Sequence, residues 1–252
     1  MDGGGKLGHG VLLLEWNHKP QAGIVRRVRP TLGSGTKLVS NYRFTDRETP
    51  TPGDLTGIVL AGGASRRMGQ NKAFLQLGGK PLIAHVIERM GQVCAEVLVV
   101  AGDVQPYAGL GARMVEDRFR GVGVLGGLHA GLAAGAHDLA LAVGCDMPFL
   151  NPALLRVFAG WAEGADVAVL RQGEQVEPLH SAYRRTCLPA IEAAIRANRR
   201  RIISFFPHVR VHYVAPEDVM PFDPELRSFR NVNTSEEWEI VKGELEGIEE
   251  AT

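Results

Sequence analysis

The sequence predicts an α/β protein of Rossmann-like, three-layer αβα architecture, with a mostly parallel sheet forming a single domain. From Thr56 onward, short apolar runs alternate with segments of helical period, the pattern of βαβ units. Those runs are continuous rather than alternating, as strands buried on both faces require. The earliest of them ends in a glycine-rich loop, where open α/β sheets bind their ligands.

Gly57-Ile58-Val59-Leu60 reads as the buried first strand, and Pro81 to Met90 as a helix opened by proline, with Leu82, Val86 and Met90 at spacing four. Val97–Val100 and Ala112–Val115 are further strands, Leu128–Gly135 a small-residue helix, and Leu139–Val143 a strand. Pro152–Trp161 has helical period, and Val167–Leu170 is strand-like. Beyond Arg171 the regularity loosens: His180–Tyr183 suggests a strand, Cys187–Arg196 a helix, Val209–Val214 a strand, and Glu236–Leu245 a closing helix capped by Ser235.

Residues 1–54 differ. They are rich in Gly, Pro, Thr and Arg, hold no lasting apolar face, and carry eight Lys/Arg against five Asp/Glu. They read as a flexible extension, or as upstream sequence translated through a misassigned start codon, with the domain spanning 55–252. The whole chain, 252 residues with 28 basic and 28 acidic side chains, has no net charge, which argues against a nucleic-acid partner. Cys94, Cys145 and Cys187 form no C-x-x-C pair, so neither a disulfide framework nor a cysteine zinc site is expected. The run Val11–Leu14 is cut by Glu15, and no segment approaches the roughly 20 apolar residues needed to span a bilayer. A cytoplasmic protein without a membrane partner is expected.

The strongest signal is the run Leu60-Ala61-Gly62-Gly63-Ala64-Ser65-Arg66-Arg67-Met68-Gly69-Gln70-Asn71-Lys72. Glycines let successive backbone N–H groups converge on phosphate oxygens, and the cations add full charge beside them. It is not a Walker A loop, because Lys72 precedes alanine rather than Ser or Thr. A literal G-x-G-x-x-G at Gly121, Gly123 and Gly126 follows the charged segment Glu116–Arg120 rather than a strand, so its dinucleotide reading is weak. A second signal is Leu139 to Phe149, in which an apolar strand ends in Cys145-Asp146-Met147-Pro148. A carboxylate at a strand exit suits magnesium, a hard cation that takes oxygen ligands, although an aspartate before proline also makes turns. Cys145 reads as a small packed side chain.

Together these motifs resemble the signature L-A-G-G-x-S-x-R-M-G-x-x-K of the molybdenum cofactor guanylyltransferases, nucleotidyltransferases with a Rossmann-like fold. The resemblance covers Thr56 to about Lys242. It implies that Leu60, Ala61, Gly62 and Gly63 hold GTP through backbone, that Arg67 and Lys72 contact its phosphates, and that Asp146, in the family's C-D-x-P element, binds Mg2+. Val115-Glu116-Asp117 resembles the family's E-D segment, which makes Asp117 a nucleotide contact. Related CMP-transferring enzymes look like L-A-A-G at the first motif, so Gly62 favours guanine.

The sequence departs from the family pattern at Val124-Leu125-Gly126-Gly127, where a proline is usual. It departs again at Ala101-Gly102-Asp103, where an asparagine near the base is common. Pro178 to Tyr183 is similar to a family strand on the pterin side, and Phe229-Arg230-Asn231-Val232-Asn233-Thr234 to its terminal F-x-N-V-N-T element. As alternate strand positions, Asn231 and Asn233 would point together toward the acceptor or a metal-bound water; turn formation before the last helix is the other reading. His180 reads as a polar core residue, and Arg199–Arg201 as a solvated helix end.

The implied activity is GMP transfer from GTP to molybdopterin, with Lys72, Arg67 and Asp146 catalytic, Mg2+ as cofactor and molybdoenzyme-maturation proteins as further partners. The alternatives are CMP transfer or another NTP:phosphate nucleotidyltransferase, and, in a different class, a noncatalytic adaptor that binds GTP or pterin.

Overall fold

In the computed structural model of the protein, residues 54–61, 71–119 and 121–249 are described. The expected extension at 1–54 lies almost wholly outside them, as do Gly62, Gly63 and Arg67.

Seven strands form the main sheet: β1 (Leu55–Leu60), β4 (Glu96–Ala101), β5 (Arg113–Glu116), β6 (Leu139–Gly144), β7 (Val167–Gln172), β8 (Gln175–Arg184) and β9 (Val211–Val214), in the order β5-β4-β1-β6-β8-β7-β9. A two-stranded ribbon, β2 (Gln76–Leu77) with β3 (Lys80–Pro81), stands apart. Only β8 runs against the rest of the main sheet. Its direction follows from its connection: Gly173-Glu174, with Gly173 at φ 61°, is too short for a crossover and can only make a hairpin.

The helices are α1 (Leu82–Gly91), α2 (Val124–Ala134), α3 (Pro152–Trp161), α4 (Leu188–Arg196), α5 (Pro216–Val219) and α6 (Ser235–Glu249). Strand side chains alternate between two apolar layers. Leu55 and Val59 of β1 pack with Ile83, Met90 and Phe158 of α1 and α3. Ile58 and Leu60 pack with Leu125, Leu128 and Ile191 of α2 and α4. Each such side chain withdrawn from water stabilises the fold by roughly 1.5–3 kcal/mol. Among the described residues no helix is long and apolar enough to cross a membrane.

The structure departs from the sequence-based expectations in several places, the strand expected from Val209 beginning only at Val211 among them. Helix α2 begins at Val124 rather than Leu128, so the second glycine stretch is a helix start, with Gly123 (φ 76°) as its N-cap. Strand β8 starts five residues before His180, where its polar residues and Pro178 obscure the period. Asn231 and Asn233 lie in no strand. The cap of α6 is Thr234 rather than Ser235: its hydroxyl accepts from Glu237 N at 3.1 Å, while Glu237 Oε2 accepts from Asn233 N at 2.6 Å. These two bonds, akin to a capping box shifted by one residue, order the chain just before the helix. A third apolar cluster then seats Trp238, Val241 and Leu245 of α6 on Leu75, Leu77, Leu82 and Phe149, which brings Asn233 beside the segment following Lys72.

Helix α2 lies so close to β1 that a Cβ on Gly131 would stand 2.7 Å from Ile58 Cγ2. Ile58 is wholly buried and stiff at χ1, so it cannot yield. Gly131→Val is expected to cost about 3 kcal/mol through overpacking, seen as a lower denaturant midpoint at unchanged slope. An unchanged midpoint would mean that α2 does not approach β1 this closely.

Candidate active site

Strand β1 is where the connections diverge: the chain leaves it through α1 to β4 on one side, and returns from β5 through α2 to β6 on the other. Diverging connections leave a crevice beyond the strand ends. Here it is a cleft of about 850 Å3, lined by the exits of β1, β4, β5 and β6.

Asp146 comes two residues after β6. Gly144 makes room for it, since a Cβ there would lie 2.7 Å from Asp146 Oδ1. The backbone of Asp146 is tied to the C-terminal segment, its carbonyl accepting from Val232 N at 3.0 Å. Opposite stands Lys72, whose Nζ lies 3.5 Å from Asp146 Oδ2 and donates to Asn233 Oδ1 at 3.0 Å. Burial raises the Asp146 carboxyl above the usual carboxylate range, and the Lys72 charge opposes that shift only in part. A carboxylate so placed favours cationic company.

Lys72 is held by a chain of contacts that sequence reasoning missed. Asn71 caps the short 3-10 turn Lys72–Phe74, its Oδ1 accepting from Ala73 N at 3.1 Å. Asn71 Nδ2 donates to the Tyr107 hydroxyl at 3.0 Å, and that hydroxyl donates to the Ala61 carbonyl at 2.6 Å. Tyr107 also stacks on Phe74, ring centroids 5.4 Å apart. One buried phenol therefore fastens the lysine turn to the end of β1. Asn71 adjoins the lysine in the motif and could have been singled out; nothing in the sequence marks Tyr107.

On the other flank, Asp117 follows β5, and its Oδ1 accepts from Phe119 N at 2.8 Å. Its carboxylate rests on the first turn of α2, where a Cβ on Gly126 would approach both oxygens to 2.9 Å. Burial raises this carboxyl also. Leu60 and Ala61 line the cleft beside Lys72, Asp117, Asp146 and Asn233. The structure thus gathers all these sequence-chosen residues.

Asn231 is not gathered with them: its Oδ1 is buried without a hydrogen-bond partner. His180 is a core residue, wedged between Phe158 and Phe229 with neither ring nitrogen bonded. It sits at φ 64° within a bulge of β8 that also carries Leu179 to the cleft wall. Cys145 is packed rather than reactive, burial pushing its thiol up to about 12. Past the end of α4, Arg200 is exposed and donates to the Gly121 carbonyl at 3.2 Å.

A strand-exit cleft bearing an opposed cation and carboxylate suits a nucleotidyltransferase, and the matching family model places the domain in that class. The chain belongs to the MobA-like NTP transferase family, whose domain model matches residues 57–211. It is 43% identical, over 71% of its length and 87% of the relative's, to a probable molybdenum cofactor guanylyltransferase of Pelotomaculum thermopropionicum. It is 39% identical, over 76% and 96%, to the molybdenum cofactor guanylyltransferase of Desulfosudis oleivorans. The crystal structure of molybdopterin-guanine dinucleotide biosynthesis protein A from Archaeoglobus fulgidus superposes with a TM-score of 0.68 at 29% identity, covering 76% of this chain and 99% of that one.

Tyr107→Phe removes the link between Asn71 and Ala61 while keeping the ring stack. It is expected to lower kcat/KM roughly 2- to 10-fold, the worth of a hydrogen bond, with little change in Tm; unaltered kinetics would show that the phenol does not position the lysine turn. His180 supplies a pH dependence. Burial depresses its imidazole to about 4 from an ordinary 6.5, so the unfolded chain binds the extra proton first, and stability falls as pH drops from 6.5 to 4. The loss is on the order of 3 kcal/mol. In His180→Phe the ΔG of unfolding is expected to lose that increment of pH dependence, and the same slope in variant and wild type would refute the assignment.

Proposed function

We propose that the protein transfers GMP from GTP to the terminal phosphate of molybdenum-loaded molybdopterin, releasing pyrophosphate. The observation that carries this reading is the Lys72 ammonium standing 3.5 Å from the Asp146 carboxylate in the cleft. The names of its relatives support the choice of guanine and of the molybdenum cofactor.

The charges in the cleft orient the substrate. A triphosphate is drawn to Lys72 and repelled by Asp103 and Asp117, so its phosphates lie on the β6 side and its nucleoside over the ends of β4 and β5. An oxygen of the acceptor phosphate attacks the α-phosphorus, the bond to the bridging α–β oxygen breaks, and its electron pair leaves with pyrophosphate. No protein nucleophile is needed, because such transfer depends on positioning and charge neutralisation. Lys72 stabilises the negative charge growing on the leaving group, and by resemblance Arg67 does the same.

The residues fit a magnesium ion. Among the described residues no group of three or more His, Cys, Asp and Glu side chains could hold a metal, yet magnesium needs only one or two carboxylates when substrate phosphates complete its shell. Asp146 provides one carboxylate, kept open by Gly144. Bound there, the ion would supply charge neutralisation at the phosphates. A cytoplasmic setting suits three free cysteines whose thiols burial pushes up to about 12.

Incubation with molybdenum-loaded molybdopterin, Mg2+ and each of the four nucleotides, read by product mass and pyrophosphate release, tests this reading. The expected product is the guanine dinucleotide form of the cofactor. A cytosine product would favour CMP transfer, and GTP binding without pyrophosphate release would favour a noncatalytic adaptor. Lys72→Ala is expected to lower turnover by about two to three orders of magnitude with the fold intact by circular dichroism; near-normal rates would remove lysine from the mechanism.

A further inference from the structure

The β4 side of the cleft carries a carboxylate whose only role so far is to repel the triphosphate. Asp103 follows β4 by two residues, lines the cleft and is exposed. Its Oδ1 accepts from Gln105 N at 3.0 Å, which fixes the side chain, and among the described residues its other oxygen accepts no hydrogen bond. The neighbouring Gly102 has no atom within 4 Å of where its Cβ would be, so space remains beside it.

Val124, which lines the same cleft, opens α2 and is 40% exposed although its side chain is apolar. An exposed apolar side chain and a carboxylate with an oxygen open to the cleft describe a site for a planar ring with an apolar face and a donor-rich edge. Asp117 likewise accepts a backbone N–H two residues on, but both its oxygens are packed against Gly126.

We propose that Asp103 reads the edge of the guanine ring, accepting hydrogen bonds from N1–H and the 2-amino group while Val124 covers one face of the base. Among the common nucleobases only guanine presents two adjacent donors on that edge. Adenine and cytosine each set a ring-nitrogen acceptor beside their amino group, and uracil flanks its single N–H with two carbonyls. A carboxylate pairs with two parallel N–H donors and repels an acceptor. The assignment rests on the guanylyl-transfer reading and adds its specificity determinant, which falls at one of the positions where the sequence departs from the family pattern.

The test measures Kd by calorimetry for GTP, ITP and XTP with Mg2+ on the full chain, without acceptor. ITP lacks the 2-amino group, and XTP carries a carbonyl in its place. Wild type is expected to favour GTP over ITP by roughly 10- to 100-fold. Asp103→Asn turns the carboxylate into an acceptor beside a donor, which matches xanthine, so XTP becomes the tightest ligand of that variant. Asp117→Asn is expected to weaken all three without inverting the order. The proposal is overturned if Asp103→Asn still prefers GTP, or if the inversion appears in Asp117→Asn instead. Failure of wild type to bind GTP at all would instead overturn the guanylyl-transfer reading beneath it.

Discussion

The Lys72 ammonium and the Asp146 carboxylate face each other across 3.5 Å, and much of the surrounding structure serves to hold them there. A carboxylate this buried is costly to ionise, and a lysine side chain is costly to immobilise. The sheet sets the carboxylate: β6 pairs with β1 through six residues in register, and Gly144 yields its side-chain space to the aspartate. The lysine is set from the opposite direction, through the Asn71 cap, the Tyr107 hydroxyl and the Ala61 carbonyl.

The C-terminal segment joins the two arms. Val232 N binds the Asp146 carbonyl, and the Asn233 amide receives the Lys72 ammonium. Helix α6 contributes at a distance, since Trp238 and Val241 fix the backbone from which Asn233 projects. Asn233 thus occupies a proton of the ammonium that an incoming phosphate can take over. The antiparallel strand β8 matters in the same way: its bulge brings Leu179 within 3.5 Å of the position a Gly144 Cβ would take, closing the wall on the β6 side.

The central elements were legible because their signals are local. Continuous apolar runs gave β1, β4 and β6 nearly to the residue, and Pro152 with its period gave α3 its bounds. Asp146 stood out because a carboxylate at the exit of an apolar strand is conspicuous, Lys72 because it closes the glycine-rich run, and Asp117 through its resemblance to the family's E-D segment. What escaped depends on contacts between residues far apart. Tyr107 acts through residues 36 and 46 positions away, a distance no pattern encodes. The early start of α2 was hidden by Gly126 and Gly127, which read as loop although the close approach of Asp117 and Leu60 leaves no room for a Cβ at either. Asn231 and Asn233 were expected to point together as strand neighbours; the capping pair Thr234–Glu237 ends any such geometry and sends them to different surroundings.

The most direct test is a crystal structure of the protein with a nonhydrolysable GTP analogue and Mn2+ in place of magnesium, the metal located by its anomalous signal. The account predicts the metal in contact with the Asp146 carboxylate and a phosphate oxygen within hydrogen-bonding reach of Lys72 Nζ. A metal bound away from Asp146, or a triphosphate lying on the β5 side of the cleft, would contradict it.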